Sequence, residues 1–424
     1  MPRSRFGTDG VRGVVGRDLT VELVERLGLA ATRWIGGGRV LVGRDTRGSG
    51  PALEAAFARG VVAGGGEAVL AGVLPTAAVA LAALDLGVVI SASHNPPEYN
   101  GVKFFDGEGA KLSDAAEEEL ERLLDDAPPA QGPPGRVGRV EGAPQRYAAH
   151  ILERFGTDLG GLRLAVDCAN GALSGIAPAL LRQLGAEVTT IGDAPDGTNI
   201  NVGCGATDLA LLSETVRRGG FDLGVAFDGD GDRLLAVDES GATIDGDAIL
   251  ALLVLGLPGI DAVAVTTMTN LGFHRLMAEH RIRVFTTDVG DRYVLEALRR
   301  EGAVLGGEQS GHVIYLNGHV TGDGLAAALL LCAVLRGRPA SAAAADMRRL
   351  PQAQRSVPVR SRMLTPSILA EVERVNLELG SEGRVLVRPS GTEPVVRVLA
   401  EAGTAEAAEA LSGRMSSIVS RELG

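Results

Sequence analysis

Lysine is nearly missing from this chain. Of 424 residues only Lys103 and Lys111 are lysine, although lysine and arginine together number 41. Arginine keeps its charge at any working pH, whereas lysine can be tuned to give and take a proton. A lysine ten residues after Ser93, in a chain that otherwise uses arginine, points to chemistry rather than charge at Lys103. Cysteine is also scarce: Cys168, Cys204 and Cys332 stand far apart. That spacing excludes a disulfide framework and a cysteine metal site, and a reducing cytoplasm is the expected location. Net positive charge is absent too. The formal charge is −12, which argues against nucleic acid as a partner but leaves room for a local cationic pocket. No apolar run spans a bilayer, the longest being 325–335, so no membrane is expected. Residues 1–13 are polar, with three arginines and no signal-peptide pattern. No Gly-Lys pair occurs, which excludes a Walker A phosphate loop.

What is present fits a globular protein of two to four domains: 45% hydrophobic residues, 59 glycines and a mean hydropathy of +0.16. Strand and helix patterns alternate. A strand is expected at 39–43 between helices at 20–35 and 51–63. Further strands are expected near 68–70 and at 86–90, with a helix near 77–84 between them. A charged helix at 114–125 leads to the proline- and glycine-rich stretch 126–135, which reads as a linker. The pattern restarts with strands at 162–167, 187–191, 223–227 and 234–238 and helices at 173–184 and 209–218, and again with strands at 262–267 and 281–286. The last unit has fewer elements, with strands at 356–360, 384–388 and 395–401. It has one helix capped by Thr365 and another from about 404. The reading is α/β, with domains at 1–145, 146–244, 245–351 and 352–424. Each domain contributes one polar loop after a strand, where open α/β sheets bind ligands.

Four loops carry the chemistry. At 91–105, S-A-S-H-N-P-P-E-Y-N-G-V-K-F-F reads as a polar loop after a buried strand. It offers a hydroxyl nucleophile beside the proton carriers His94 and Lys103, or else an ordinary surface turn. Asp228-Gly229-Asp230-Gly231-Asp232-Arg233 sets three carboxylates on alternate residues, suited to one hard divalent cation. An EF-hand calcium loop is the rival, but its sixth position would be Arg233 rather than glycine, and its flanks read as strands. Arg388-Pro-Ser-Gly-Thr-Glu-Pro394, with Arg397 beyond, offers guanidinium groups, hydroxyls and backbone N–H groups to a phosphate; a capping turn is the alternative. Glu308, Ser310 and His312, in G-G-E-Q-S-G-H, offer groups to sugar hydroxyls. Arg12, in F-G-T-D-G-V-R-G, could reach a phosphate. His150, His274, His280 and His319 read as surface or structural. Together these parts suit phosphoryl transfer.

The four loops, in this order and spacing, resemble those of the α-D-phosphohexomutases over essentially the whole chain. The N-terminal F-G-T-D-G-V-R-G, P-D-G-T-N-I-N-V-G-C-G-A-T-D, V-G-D-R-Y-V and the glutamine of G-E-Q-S-G-H are similar to members acting on glucosamine phosphates. Members acting on glucose or mannose phosphates are the alternative. The resemblance implies three related α/β domains with mixed sheets and a C-terminal α+β, TATA-binding-protein-like domain around a central cleft. It implies Ser93 as a phosphoserine, with Asp228, Asp230, Asp232 and the Ser93 phosphate holding Mg2+. His94 and Lys103 would carry protons, Arg12 and Arg233 would steady charge, and Glu308, Ser310 and His312 would hold the sugar. Arg388, Ser390, Gly391, Thr392 and Arg397 would grip the phosphate that is not reacting. A sugar monophosphate would be the partner, a sugar bisphosphate the intermediate and activator, and amino-sugar supply for cell-wall precursors the role. A homodimer is left open. The chain departs from the pattern at Asp288, where members acting on plain hexoses often carry lysine.

Overall fold

A computed structural model describes residues 6–7, 10–126, 134–390 and 394–424. The expected linker at 126–135 lies mostly outside the described residues. The chain divides into two compact units, 1–268 with 282–345, and 269–281 with 346–424.

The first unit holds three mixed sheets. The first sheet runs in the order Val11–Val14, Tyr99–Asp106, Leu86–Ile90, Arg39–Arg44, Glu67–Val73 and Arg136–Arg139. Its last four strands are parallel and its first two antiparallel to their neighbours. Leu86–Ile90 is buried at every residue, as expected of a strand covered on both faces. Helices Val21–Trp34 and Gly50–Ala63 pack on one face, burying Val24, Leu27, Leu53 and Phe57 with Val40, Val42 and Val88. Thr20 caps the first of these helices by accepting from Leu23 N–H. The second sheet runs Thr243–Ile244, Leu234–Asp238, Leu223–Phe227, Arg163–Asp167, Glu187–Ile191, and the third Arg283–Thr287, Ala262–Thr266, Leu305–Gly307, Val313–Tyr315.

Three elements differ from the sequence expectation. The segment after Ser91 is not loop throughout: Tyr99–Asp106 is an eight-residue strand that places Lys103 opposite Val89. Pro96 and Pro97 end their influence at the turn, and the buried face of V-K-F-F continues the sheet. Helix Asp291–Glu301 begins inside the V-G-D-R-Y-V stretch. The helix expected at 173–184 is only Ala177–Gln183. His150 and His319, expected without company, share a polar network. His150 Nε2 is 3.2 Å from His319 Nδ1, and His319 Nε2 is 3.0 Å from Asp323. Tyr147 donates its hydroxyl to the same carboxylate.

The second unit has an antiparallel sheet, Gln352–Pro358, Val395–Glu401, Arg384–Pro389. Helices Pro366–Leu379 and Ala405–Leu423 cover it through Ile368, Val375, Met415 and Val419. Helix Leu271–Glu279 packs within this unit. Asn270 donates to Leu350 C=O and Leu271 N–H donates to Glu401. No helix among the described residues is long and apolar enough to cross a membrane.

Candidate active site

Ser93 sits just beyond the buried strand Leu86–Ile90 with φ at +51°, a left-handed conformation that a serine adopts only when its surroundings enforce it. Its N–H donates to Ser91 Oγ at 2.8 Å, and Ser91 Oγ donates to Asp45 at 2.6 Å. Ser93 Oγ points across to the second sheet and donates to Asp228 Oδ2. His94 Nδ1 is 3.3 Å from the same Oγ.

Asp228 follows the fully buried strand Leu223–Phe227, and the chain turns through Gly231, at φ +73°, into Leu234–Asp238. Flanking strands rather than helices exclude the EF-hand reading. One carboxylate oxygen from each of Asp228, Asp230 and Asp232 lies within 4.8 Å of the others, and all three residues are buried. Lys103 Nζ meets this group at 2.7 Å from Asp230 and 3.0 Å from Asp232. Thr76 Oγ1 donates to Asp230 at 2.7 Å. Among the described residues, Asp230 Oδ1 and Asp232 Oδ1 have no hydrogen-bond partner. Buried acceptors left this way are costly. Three carboxylates also outnumber the two cations beside them, the Lys103 ammonium and the Arg233 guanidinium 3.9 Å from Asp232. Both facts fit a hard metal cation bound by oxygen ligands.

The electrostatics are strongly divided. Burial, then Asp232 and Asp230, hold the Asp228 carboxyl well above its usual range. Burial also opposes ionisation of Asp232, but Lys103, His312 and Arg233 outweigh it and hold that carboxyl well below the usual range. Burial, then Arg233 and Arg12, push His94 down to about 4. Arg12 Nη1 also reaches Asn95 Oδ1 at 3.5 Å.

The hairpin from Leu305–Gly307 to Val313–Tyr315 carries Glu308, Ser310 and His312. Glu308 N–H donates to His312 C=O, and Leu234 N–H donates to Gly311 C=O, which ties this hairpin to the aspartate turn. Glu308 accepts from Gly290 N–H at 3.1 Å. Burial, then Asp291, raise the Glu308 carboxyl. His312 is buried with Nε2 3.3 Å from Asp291, and Ser310 is exposed. The sequence reading passed over Lys111 and Asp291, which form an ion pair at 2.5 Å. The scarcity of lysine that singled out Lys103 applied equally to Lys111.

In the second unit, Arg388 and Arg397 are direct partners on adjacent antiparallel strands. Ser390 closes that ladder by donating its N–H to Val395 C=O, and its own carbonyl accepts from Arg362 at 2.8 Å. Gly391 and Thr392 lie outside the described residues.

Comparison with known proteins adds a lineage to this geometry. Family models described as Phosphoglucomutase/phosphomannomutase, alpha/beta/alpha domains I, II and III, match residues 3–130, 145–241 and 245–350. The C-terminal domain of that family matches 343–417. A phosphoglucosamine mutase of Moorella thermoacetica is 47% identical over 98% of this chain and 99% of its own. The crystal structure of a phosphoglucomutase/phosphomannomutase family protein from Burkholderia thailandensis aligns with a TM-score of 0.83 and 26% identity, covering 100% of this chain and 98% of that one. An Aspergillus fumigatus N-acetylphosphoglucosamine mutase, solved with GlcNAc-6P and magnesium, shares the fold at a TM-score of 0.69 and 19% identity, covering 98% and 95%.

Proposed function

The chain belongs to the phosphoglucomutase/phosphomannomutase family, and from that premise we propose that it interconverts glucosamine 6-phosphate and glucosamine 1-phosphate. The enzyme class is that of an isomerase moving a phosphoryl group within a hexose phosphate. The observation that carries the assignment of chemistry is the donation from Ser93 Oγ to Asp228, inside a buried cluster of three aspartates. The substrate choice rests on 47% identity over nearly the full length to proteins that carry the glucosamine name.

Ser93 acts as a phosphoryl carrier. In the first half-reaction the bond between phosphorus and Ser93 Oγ breaks, and a bond forms to the free hydroxyl of the sugar monophosphate. The product is a sugar bisphosphate. In the second half-reaction Ser93 Oγ takes the other phosphoryl group, which leaves the isomeric monophosphate. In each half the attacking hydroxyl loses a proton and the oxygen released from phosphorus takes one up. His94 and Lys103 are the groups beside Ser93 and its aspartates that can carry it. Arg12 and Arg233 balance the charge of the phosphate. Asp228, Asp230 and Asp232 would hold Mg2+, which supplies charge neutralisation to the phosphoryl oxygens.

Glu308, Ser310 and His312 take the sugar hydroxyls. Arg388, Ser390 and Arg397, with Gly391 and Thr392, take the phosphate that is not being transferred. The three cysteines are free and buried, which suits a reducing cytoplasm. The test is an assay of each hexose monophosphate primed with a trace of the matching bisphosphate. Highest kcat/KM on the glucosamine ester is expected. High activity on the glucose or mannose ester without activity on glucosamine would overturn the substrate assignment.

A further inference from the structure

R-D-T-R at 44–47 and P-D-G-T-N-I-N at 195–201 meet under the Ser93 loop. Arg47 is fully buried. Its Nε donates to Asp45 Oδ2 at 2.9 Å, its Nη1 to Tyr99 C=O at 2.9 Å and to Pro96 C=O, and its Nη2 to Ser93 C=O at 2.9 Å and Asn95 C=O at 2.8 Å. A guanidinium has five N–H donors, and all five are used here. Four of them go to backbone carbonyls of one loop.

Asn201 approaches the same loop from the other stretch. Its Nδ2 donates to Ser93 C=O at 2.8 Å and to Asn95 C=O at 3.0 Å. The carbonyls on either side of His94 therefore each accept one donor from Arg47 and one from Asn201. The two stretches are fastened to one another and to their surroundings. Gly48 N–H donates to Gly197 C=O at 2.8 Å, and Thr46 Oγ1 donates to Asn170 C=O at 2.5 Å. The aspartate turn closes on the same carbonyl: a Cβ on Gly229 would stand 2.7 Å from the Ser93 oxygen. Asn201 itself holds φ at +58°, next in kind to Ser93 at +51°.

We propose that Arg47 and Asn201 are positioning residues for the phosphoryl transfer. They hold the Ser93 backbone in its left-handed conformation, so that Oγ stays aimed at the aspartate cluster whether it is free or phosphorylated. A left-handed serine relaxes to a commoner conformation unless its carbonyl is fixed, and relaxation would swing Oγ away from Asp228. Neither side chain donates to Oγ, so their effect reaches the chemistry through the backbone. A misplacement of the reacting group on the order of 1 Å costs about 100-fold in rate. The inference rests on the assignment of Ser93 as the phosphoryl carrier.

The decisive variant is Asn201→Gly, which removes both amide donors while accepting the positive φ without strain. Arg47→Lys, which keeps the charge but loses most of the donors, is the second. Full-length enzyme phosphorylated on Ser93 is mixed with glucosamine 6-phosphate, and transfer is followed in a single turnover. Amide hydrogen exchange of the 91–100 peptide is read in parallel. The expected result for Asn201→Gly is transfer slowed about tenfold, KM within twofold of wild type, faster exchange confined to that peptide, and an unchanged Tm. Arg47→Lys is expected to slow transfer by about 100-fold. Wild-type transfer rate and exchange in Asn201→Gly would overturn the inference while leaving the carrier reading intact. A lowered Tm with exchange raised throughout the protein would also overturn it, because the residue would then be a general stabiliser. Wild-type enzyme with no phosphate on Ser93 would overturn both.

Discussion

Replacing Lys103 with methionine removes an ammonium from a group of three buried carboxylates while keeping a similar side-chain length. Lys103 is 1% exposed and lies 2.7 and 3.0 Å from Asp230 and Asp232. Each of those carboxylates has one oxygen that accepts no hydrogen bond among the described residues. The variant would leave both charges buried with less compensation, a change that costs about 3–5 kcal/mol when one member of a buried pair is removed. The corresponding fall in Tm for a unit of this size is roughly 4–7 °C. A divalent cation on the same aspartates supplies the missing positive charge, so the loss should shrink by at least half in excess magnesium. Thermal unfolding of wild type and Lys103→Met, each in a chelator and in magnesium, measures the four values needed. Activity of the variant should fall at least 100-fold in either condition, as expected for a lost proton carrier or charge partner. Equal Tm values in the chelator would refute the electrostatic reasoning. A deficit unchanged by magnesium would show that the metal does not neutralise these carboxylates.

Other expectations follow from the same geometry. Lys111→Met breaks the pair with Asp291, which neighbours both His312 and the Gly290 N–H held by Glu308. KM for the sugar phosphate should rise about tenfold, in line with the loss of one charged hydrogen bond, while phosphate on Ser93 is unaffected. A raised kcat deficit with unchanged KM would argue against a sugar-side role. Arg397→Met should raise KM by roughly 10- to 100-fold, the worth of a charge-assisted bond to phosphate, with the Tm of the C-terminal unit as control. A wild-type KM would remove Arg397 from the phosphate site.

Asp167 gives a pH signature for stability. Burial pushes its carboxyl up from 3.8 to about 6, against the backbone N–H groups of Gly205 and Ala169. The folded-state value is above the unfolded one. Its contribution is therefore fully present below pH 3.8 and is lost as pH rises through about 6, up to about 3 kcal/mol in total. The stability gap between wild type and Asp167→Asn, from urea midpoints, should shift against wild type between pH 4 and 7. A gap that does not change over that range would contradict it.

The parts of this molecule that could be read from the sequence are those whose determinants are local. The run Leu86–Ile90 is apolar at every position and sits buried at every position. The alternation of aspartate and glycine at 228–232 needs only a turn to converge its carboxylates. Thr365 and Thr404 cap the helices that follow them. What escaped depends on partners far along the chain. Lys103 looked like a loop residue because its strand follows two prolines and carries Asn100 and Lys103 inward. Its charge is matched by aspartates more than 120 residues later. Lys111 with Asp291, and Arg47 with Asn201, are likewise joined only by folding. Residues 269–281 continue the strand–helix rhythm of the third domain, and the family's domain III model covers them within 245–350. Their hydrogen bonds to Leu350 and Glu401 are invisible to periodicity.

The most direct test of the account is the covalent state of Ser93 during turnover. Intact mass and peptide mapping of enzyme treated with a sugar bisphosphate should show one phosphate-sized increment on Ser93, absent from Ser93→Ala. Adding glucosamine 6-phosphate should remove that increment and yield glucosamine bisphosphate, without stoichiometric release of inorganic phosphate. An unmodified Ser93 in active enzyme, or release of its phosphate to water at the rate of turnover, would contradict the claim that this serine is a reversible phosphoryl carrier.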